Sequence, residues 1–372
     1  MDSELEAGYL LAVAGAAVWT PRPLVAALRE LGSARALVEF AREPLHADAT
    51  PRERLGAEAL ARIAAIDDAA ARDAFRMASR PELRFVSSTS PGYPRRLLEL
   101  CDPPPVLYYR GKLDVLEGRA IAIVGCRACT PYGRSMSAQL VRGFSSFGAT
   151  IVSGLARGID AAAHRAAIAA TTPTVAAIGS GLLALYPPYH SLLADEIVAR
   201  GGAVISEFPL KMVARQHHFP MRNRLVAALA DATVVVEAGA RSGALITARL
   251  AAETGRHVFA VPGDVGRTAS EGSNALIKDG VALTTGADDV AALLGWTRQL
   301  RDSGLDDEGA ARRGAVASSG ADLLEALAHG ACDVDELCAA TGLDAASVSA
   351  QLTLLEMQGL VDRAAGGIFR PT

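Results

Sequence analysis

An acid-free stretch, residues 208–230, holds the side chains best suited to bind a polyanion. The guanidinium groups of Arg222 and Arg224 match phosphate oxygens bidentately. Phe219 lies between cations in the sequence and can stack on an unpaired base. This combination predicts contact with single-stranded nucleic acid. The alternative is that Phe219 packs against the following helix and that the arginines form a solvated surface.

The uneven distribution of charge along the chain supports a polyanionic partner. The 372 residues carry a net charge of −4. Residues 81–298 hold 22 Lys and Arg against 17 Asp and Glu, whereas residues 299–372 hold 5 against 12. Between residues 118 and 194 a single acid, Asp160, stands against six arginines. Such clustering of basic residues is the electrostatic footprint of nucleic-acid binding.

A catalytic interpretation of the same region rests on Ser153, Asp160 and His164, the residue types of a nucleophilic triad. The three lie within twelve residues of each other, and Asp160 and His164 have the i,i+4 spacing of one helix face. A triad normally draws its members from separate elements, so that the base reaches both the nucleophile and its own partner. We therefore expect Asp160 to cap a helix, His164 to bond locally, and the chain not to be an enzyme.

The sequence also offers two weak cofactor motifs. Cys126 and Cys129 form a CxxC before a probable helix, where a redox pair would lie, but the other cysteines supply no second pair for zinc. Residues Gly179–Ala184 meet a relaxed GxGxxA pattern, yet residues 185–188 contain two prolines where a dinucleotide site needs a helix. No GxxxxGK[ST] loop is present. We expect neither a metal nor a cofactor.

Short runs rich in Val and Ile alternate with helical segments from residue 119 onward, which predicts an α/β domain with a parallel sheet covered on both faces. The predicted strands are Ala120–Val124, Thr150–Val152, Val175–Ile178, Ala203–Ile205, Thr233–Val236 and His257–Val261. Each strand ends in a loop of small residues. Because the carboxyl ends of strands line the ligand crevice of such a sheet, the loops should converge there and offer backbone N–H groups to phosphate.

The remaining segments complete the predicted domain organisation. Residues 1–80 form a helical domain, residues 81–298 the α/β domain, residues 299–318 a flexible linker, and residues 319–372 a winged helix. The acidic N-terminus argues against a secretory signal, and Pro and Gly interrupt the uncharged stretch 166–194, so we expect a cytoplasmic protein without a membrane span.

The presumed recognition helix of the winged helix is Asp344–Gln358. It contains no Lys or Arg. A helix that enters a DNA groove normally carries phosphate and base contacts. We expect this domain to meet a protein rather than duplex DNA.

An ordered series of motifs between Pro91 and Gly286 resembles the DprA (Smf) family. The matching residues are Ile121–Arg127, Thr130, Tyr132, Gly133, Ser153–Asp160, His164, Tyr186, Pro187, Ser206, Glu207, Phe219, Pro220, Arg222–Arg224, Val236–Ala238, Ser242, Gly243, Leu245–Ala248, Val261–Gly263, Gly272 and Asn274. Two positions depart from the family pattern, since Cys126 stands where Ser is usual and His190 where Asn is common. An ordered series of this density is far more specific than any single motif.

The resemblance implies an extended Rossmann domain flanked by an N-terminal SAM-like domain and a C-terminal winged helix. It also implies a homodimer that binds single-stranded DNA and hands it to the recombinase RecA during natural transformation, without enzymatic activity. Arg127 would be the binding arginine after the first strand, and Phe219 the residue that accepts a base. The predicted DNA-binding residues are Gly125, Arg127, Ser153, Gly154, Arg157, Gly179, Lys211, Phe219, Arg222, Asn223, Arg224, Ser242 and Gly243.

Two other hypotheses remain open at the level of sequence. The first is a nucleotide-metabolising enzyme similar to the phosphoribohydrolases, which use a related Rossmann domain with a PGG-x-GT loop and a following Glu. Residues Glu237–Gly243 occupy the comparable strand end with a different loop. The second is an interaction scaffold in which the winged helix is the working part.

Overall fold

The computed structural model describes residues 2–43 and 53–298, together with Leu323, Leu327 and the segments 334–341, 345–357, 361–364 and 368–371. The chain divides into two compact units, Met1–Gln299 and Leu300–Thr372. The predicted linker, residues 299–318, lies outside the described residues.

The helices that the structure describes at the start of the first unit agree with the helical prediction for this region. They are α1 (Asp2–Ala16), α2 (Pro21–Leu31), α3 (Ala34–Arg42), α4 (Ala57–Ala64) and α5 (Asp68–Ala78). The leucine and isoleucine side chains at helical spacing form their core, where Leu24, Leu37 and Ile63 are fully buried. On its other side, α1 packs Leu11 and Ala14 onto the sheet that follows.

A nine-stranded sheet forms the centre of the first unit. Its strands are β1 (Arg84–Ser87), β2 (Val106–Gly111), β3 (Ala120–Val124), β4 (Thr150–Ser153), β5 (Thr174–Ala177), β6 (Ala203–Ser206), β7 (Ala232–Val235), β8 (His257–Ala260) and β9 (Ala282–Leu283). They lie in the order β1-β2-β6-β5-β4-β3-β7-β8-β9. The six predicted strands are confirmed as the parallel strands β3 to β8.

Three strands were missed. Strands β1 and β2 extend the sheet beyond β6 and run antiparallel to their neighbours, and β9 is a short parallel edge strand. The sequence before β2 holds three consecutive prolines, Pro103–Pro105, which indicated only extended chain.

Helices cover both faces of the sheet, as the apolar strand pattern predicts. They are α6 (Arg95–Leu98), α7 (Pro131–Ser145), α8 (Ile159–Ala169), α9 (Ser191–Ala199), α10 (His218–Ala228), α11 (Gly243–Glu253), α12 (Glu271–Lys278) and α13 (Ala287–Leu293). Along β3, Ala122 and Val124 enter the core layer on one face, while Ile121 and Ile123 enter the layer on the other. This alternation is the two-residue period of a strand buried on both sides.

The order of the strands creates a switch point. From β3 the chain moves through β4 and β5 to β6 on one side, and then returns to place β7 on the other side of β3. The loops after β3 and β7 therefore diverge and leave a gap between them. In doubly wound sheets ligands bind in such a gap.

The second unit contains α14 (Val334–Thr341), α15 (Ala345–Met357) and the antiparallel pair β10 (Val361–Ala364) and β11 (Ile368–Pro371). Its buried residues include Leu337, Val348, Leu352 and Phe369. The second and third predicted helices of the winged helix and its terminal hairpin strands are found here. The predicted turn at residues 366–367 lies outside the described residues.

Candidate nucleic-acid interface

A crevice of about 890 Å³ opens at the carboxyl edge of the sheet, between the loops that follow β3 and β7. We call it the switch-point crevice. Eight of the predicted DNA-binding residues line it: Gly125, Arg127, Gly154, Phe219, Arg222, Asn223, Ser242 and Gly243. Loops that are far apart in the sequence thus meet at one edge of the sheet.

Three helices begin at the switch-point crevice: α8, α10 and α11. The N-terminus of a helix carries partial positive charge and unpaired N–H groups. At α11 the hydroxyl of Ser242 caps the helix and accepts from the backbone N–H of Ala244 at 3.3 Å. The helix ends therefore favour an anionic ligand before any charged side chain is counted.

Three exposed arginines, Arg127, Arg215 and Arg241, line the switch-point crevice. None of them has an ion-pair partner in the part of the chain that the structure describes. Arg215 and Arg241 were not among the predicted site residues, although Arg215 belongs to the acid-free stretch and Arg241 directly precedes the predicted Ser242. Unpaired cations around one opening are available to phosphate groups.

An aromatic ring lies at the lip of the crevice. Phe219 is half-buried, with the guanidinium of Arg127 5.0 Å from its ring centroid and the ring of Tyr186 5.7 Å away. Gly179 lies against the Phe219 ring, since a Cβ there would come within 3.1 Å of Cδ1. Gly179 therefore makes room for the aromatic ring and is not among the residues that line the crevice.

Arg222 lines the crevice but is only 4% exposed. Its Nη1 donates to the backbone oxygen of Ala177, and its guanidinium lies where a Cβ on Gly154 would be. Burial lowers the pKa of Arg222, and the nearby carboxylate of Asp160 opposes this shift. The Nε of Arg222 is buried and has no hydrogen-bond partner among the described residues.

Arg224 does not reach the crevice, contrary to the sequence interpretation of paired phosphate forks. Its Nη2 donates to Glu207 Oε2, and its Nε lies 3.3 Å from Asp102 Oδ2. Arg224 and Glu207 are both buried. Residues two apart on a helix point about 200° away from each other, so Arg222 and Arg224 cannot share one face of α10.

The three residues of the possible triad also lie differently from the expectation. Ser153 is fully buried and donates to the backbone oxygen of Ile123 at 2.7 Å. His164 Nδ1 lies 2.8 Å from Thr174 Oγ1 on β5, so its bond is not local. Asp160 does not cap α8: Gly158 is the N-cap, at φ 84°, and the Asp160 carboxylate accepts from Ala156 N–H at 3.4 Å. Neither Ser153 nor His164 lines the crevice.

Two further predicted residues lie outside the crevice itself. Lys211 is exposed but does not line it. Arg157 is exposed and borders an adjoining, smaller cavity.

The predicted cap of α7 is confirmed, since Thr130 Oγ1 accepts from Gly133 N–H at 3.2 Å and Pro131 occupies the first turn.

The buried His164 makes the stability of the fold depend on pH. Burial lowers its pKa from 6.5 to about 3. Between these two pH values the unfolded chain binds a proton at His164 that the folded chain does not. The contribution of the neutral, buried His164 to the free energy of unfolding is therefore present above pH 6.5 and is lost as the pH falls towards 3. His164→Gln should reduce the fall in unfolding free energy by up to about 1.4 kcal/mol per pH unit across this window. Urea unfolding at several pH values measures the slope, and an unchanged slope would refute the assignment.

A second cavity, of about 780 Å³, lies at the amino edge of the parallel sheet and is lined by Arg84, Tyr109 and Lys112, among others. Two carboxylates, of Asp114 and Glu117, also line it.

The described residues contain no group of three His, Cys, Asp or Glu side chains placed to hold a metal ion. Among the described helices, none has the length and apolar character to cross a membrane.

Two family models match the chain. The model of DNA recombination-mediator protein A covers residues 84–295, and that of the DprA winged helix domain covers residues 311–367. Protein Smf of Escherichia coli is 36% identical over 292 residues, which is 78% of either chain. The putative DNA processing protein DprA of Mycobacterium tuberculosis is 41% identical over 262 residues, 70% of this chain and 67% of that protein.

Solved structures give a consistent result. DprA of Streptococcus pneumoniae has a TM-score of 0.65 and 33% identity, and the match covers 79% of this chain and 97% of that one. DNA processing protein A of Helicobacter pylori, described for its single-stranded DNA binding mode, has a TM-score of 0.51 and 30% identity over 56% of this chain and 95% of that one.

Proposed function

Because this chain belongs to the DNA recombination-mediator protein A (DprA/Smf) family, we propose that it holds single-stranded DNA in the switch-point crevice and passes it to a recombinase of the RecA type. One observation carries the proposal: Arg127, Arg215 and Arg241 surround the crevice without ion-pair partners among the described residues. The single-stranded DNA binding attributed to the Helicobacter pylori relative supports the same ligand.

Different residues of the crevice bind the phosphates and the bases of a strand. The exposed arginines and the N-termini of α10 and α11 contact phosphates, which have the same chemistry in every nucleotide. Phe219 presents its remaining exposed surface to a base. Stacking tolerates any base but needs an unpaired one, so the site selects single strands without reading their sequence.

The delivery step has its own test. On single-stranded DNA coated with a single-strand-binding protein, this chain should shorten the lag before a RecA-type recombinase begins to hydrolyse ATP. A variant with Arg127, Arg215 and Arg241 replaced by alanine should leave the lag unchanged. If both proteins leave the lag unchanged while the unaltered chain binds the strand, the recombinase part of the proposal is wrong.

The family resemblance also underlies proposals on assembly, location and physiological role. We propose that the chain works as a homodimer in the cytoplasm and that it takes part in natural transformation. Sedimentation equilibrium across a range of concentrations would detect the dimer. Loss of transformation after deletion of the gene, with DNA uptake retained, would support the physiological role.

Catalysis is not part of the proposal. At the strand end comparable to the phosphoribohydrolase loop, the buried carboxylate of Glu237 accepts from Thr130 N–H at 2.9 Å and from Thr130 Oγ1 at 2.5 Å. These bonds fix the start of α7. Release of free base from nucleoside monophosphates by the purified chain would revive the enzymatic hypothesis.

The C-terminal unit should contribute little to strand binding. Helix α15 carries no Lys or Arg, so we propose that this unit meets a protein. Deleting residues 299–372 should leave oligo-dT affinity within about twofold, because every arginine assigned to the strand lies in the first unit. A loss of binding on deletion, measured by fluorescence anisotropy, would favour the scaffold hypothesis instead.

A further inference from the structure

A smaller cavity, of about 370 Å³, adjoins the switch-point crevice. The two cavities share Arg127, Tyr186 and Phe219, and the smaller one adds Arg157 and Tyr189. We call it the tyrosine pocket. The two cavities therefore adjoin at Phe219.

The exposed aromatic surface next to the crevice belongs to the tyrosine pocket. Tyr189 is 62% exposed and Tyr186 is 45% exposed. Phe219, by contrast, already has Arg127 over its ring and Tyr186 beside it. Two neighbouring tyrosines at such exposure form an apolar surface that fits a planar partner. The Tyr189 ring is the one with room for a second base.

The turn that carries Tyr189 is held firmly in place. Tyr189 lies in a single 3₁₀ turn, Pro188–His190, at the start of α9. The buried His190 follows it, and its Nδ1 lies 2.7 Å from the backbone oxygen of Leu155. The Tyr189 and His190 rings also meet edge to face, with centroids 4.8 Å apart. A stacking surface fixed in advance binds with less loss of conformational entropy.

The same hydrogen bond ties this turn to the loop that carries Arg157. Arg157 is exposed, and its guanidinium has no hydrogen-bond or ion-pair partner among residues 2–43 and 53–298. The turn supplies an aromatic ring and the loop supplies an unpaired cation, which match the two parts of a nucleotide, the base and the phosphate.

We propose that the tyrosine pocket is a second nucleotide subsite, in which a base stacks on Tyr189 and the adjoining phosphate contacts Arg157. The proposal rests on the proposed function of the switch-point crevice and extends the path of the strand beyond it. It assigns the exit of the strand to the side of the crevice where α9 begins.

The test uses the full chain and oligo-dT of increasing length, with affinity measured by fluorescence anisotropy. Tyr189→Ala should weaken binding of long oligomers about tenfold, within the range for one stacked base. Oligomers short enough to fill only the crevice should bind both proteins equally. Tyr189→Phe should keep the affinity, because stacking needs the ring and not the hydroxyl. Leu192→Ala, which removes a neighbouring side chain that is 79% exposed and outside both cavities, is the matched control.

A spectroscopic signal separates stacking from a structural effect. An oligomer with 2-aminopurine at the position next to the crevice should lose fluorescence on binding the unaltered chain and Tyr189→Phe, but not Tyr189→Ala. Equal affinity and equal quenching for Tyr189→Ala would overturn the subsite while leaving the crevice intact. Weaker binding of Tyr189→Ala at every length would also overturn it. If the unaltered chain bound no oligomer at all, the proposed function itself would fail.

Discussion

Replacing Arg127, Arg215 and Arg241 together with alanine is expected to weaken oligo-dT binding about 1000-fold at low salt. Each exposed guanidinium that contacts a phosphate contributes about 1.4 kcal/mol, or a factor of ten. The salt dependence should change as well. Each phosphate contact on a single strand contributes about −0.7 to the slope of log affinity against log salt concentration, so the loss of three contacts should make this negative slope shallower by about 2.

The matched control removes the same charge elsewhere. Arg165, Arg200 and Arg249 are exposed in the same unit and do not line the crevice. Their combined replacement by alanine should leave the slope unchanged and lower the affinity only by the general loss of charge. If both triple variants weaken binding equally, the strand follows the net charge of the domain and the crevice is not its site.

Arg224→Ala is expected to lower the free energy of unfolding by about 3–5 kcal/mol, because it leaves the carboxylate of Glu207 buried without its counter-charge. The side chains of Arg224 and Glu207 are 9% and 3% exposed. The surface pair of Arg249 and Glu253, at 79% and 50%, is the control, and Arg249→Ala should cost at most about 1 kcal/mol. Urea denaturation measures both values. A loss below about 1 kcal/mol for Arg224→Ala would contradict the buried pair.

A double variant tests whether Arg224 contacts DNA without the loss of stability that Arg224→Ala causes. Replacing Arg224 by Met and Glu207 by Gln removes both charges together, which buried pairs often tolerate. This variant should bind oligo-dT with the affinity of the unaltered chain, since Arg224 lies outside the crevice. Reduced affinity in a folded double variant would restore the phosphate-binding hypothesis for Arg224.

The parallel core was predictable because buried parallel strands are apolar along their whole length, as β3 is. The two antiparallel strands, β1 and β2, were not predictable in this way. The second, β2, follows a proline run, and the first, β1, pairs Arg84 with Tyr109 at the outer edge, so neither shows the pattern of a central strand. Strand β2 pairs with β6, 92 positions or more further along the chain, and β1 pairs in turn with β2, and local sequence records neither pairing.

At the candidate site, too, the sequence predicted which residues come together but not how each side chain is oriented. The rule that strand ends converge was enough to bring Gly125, Ser242 and Phe219 to one crevice. It could not tell which arginine of α10 turns inward to Glu207. The sequence also does not reveal that Tyr189 is exposed beside the crevice, because exposure depends on the turn held by His190.

The most direct test of the central claim is a titration of the unaltered chain with single-stranded and double-stranded oligonucleotides of equal length at two salt concentrations. If the strand lies in the crevice, the single strand should bind more tightly than the double strand, and its affinity should fall steeply as salt rises. For three phosphate contacts, the slope of log affinity against log salt concentration should be about −2 or steeper. Equal affinity for single and double strands, or binding that salt does not weaken, would contradict it.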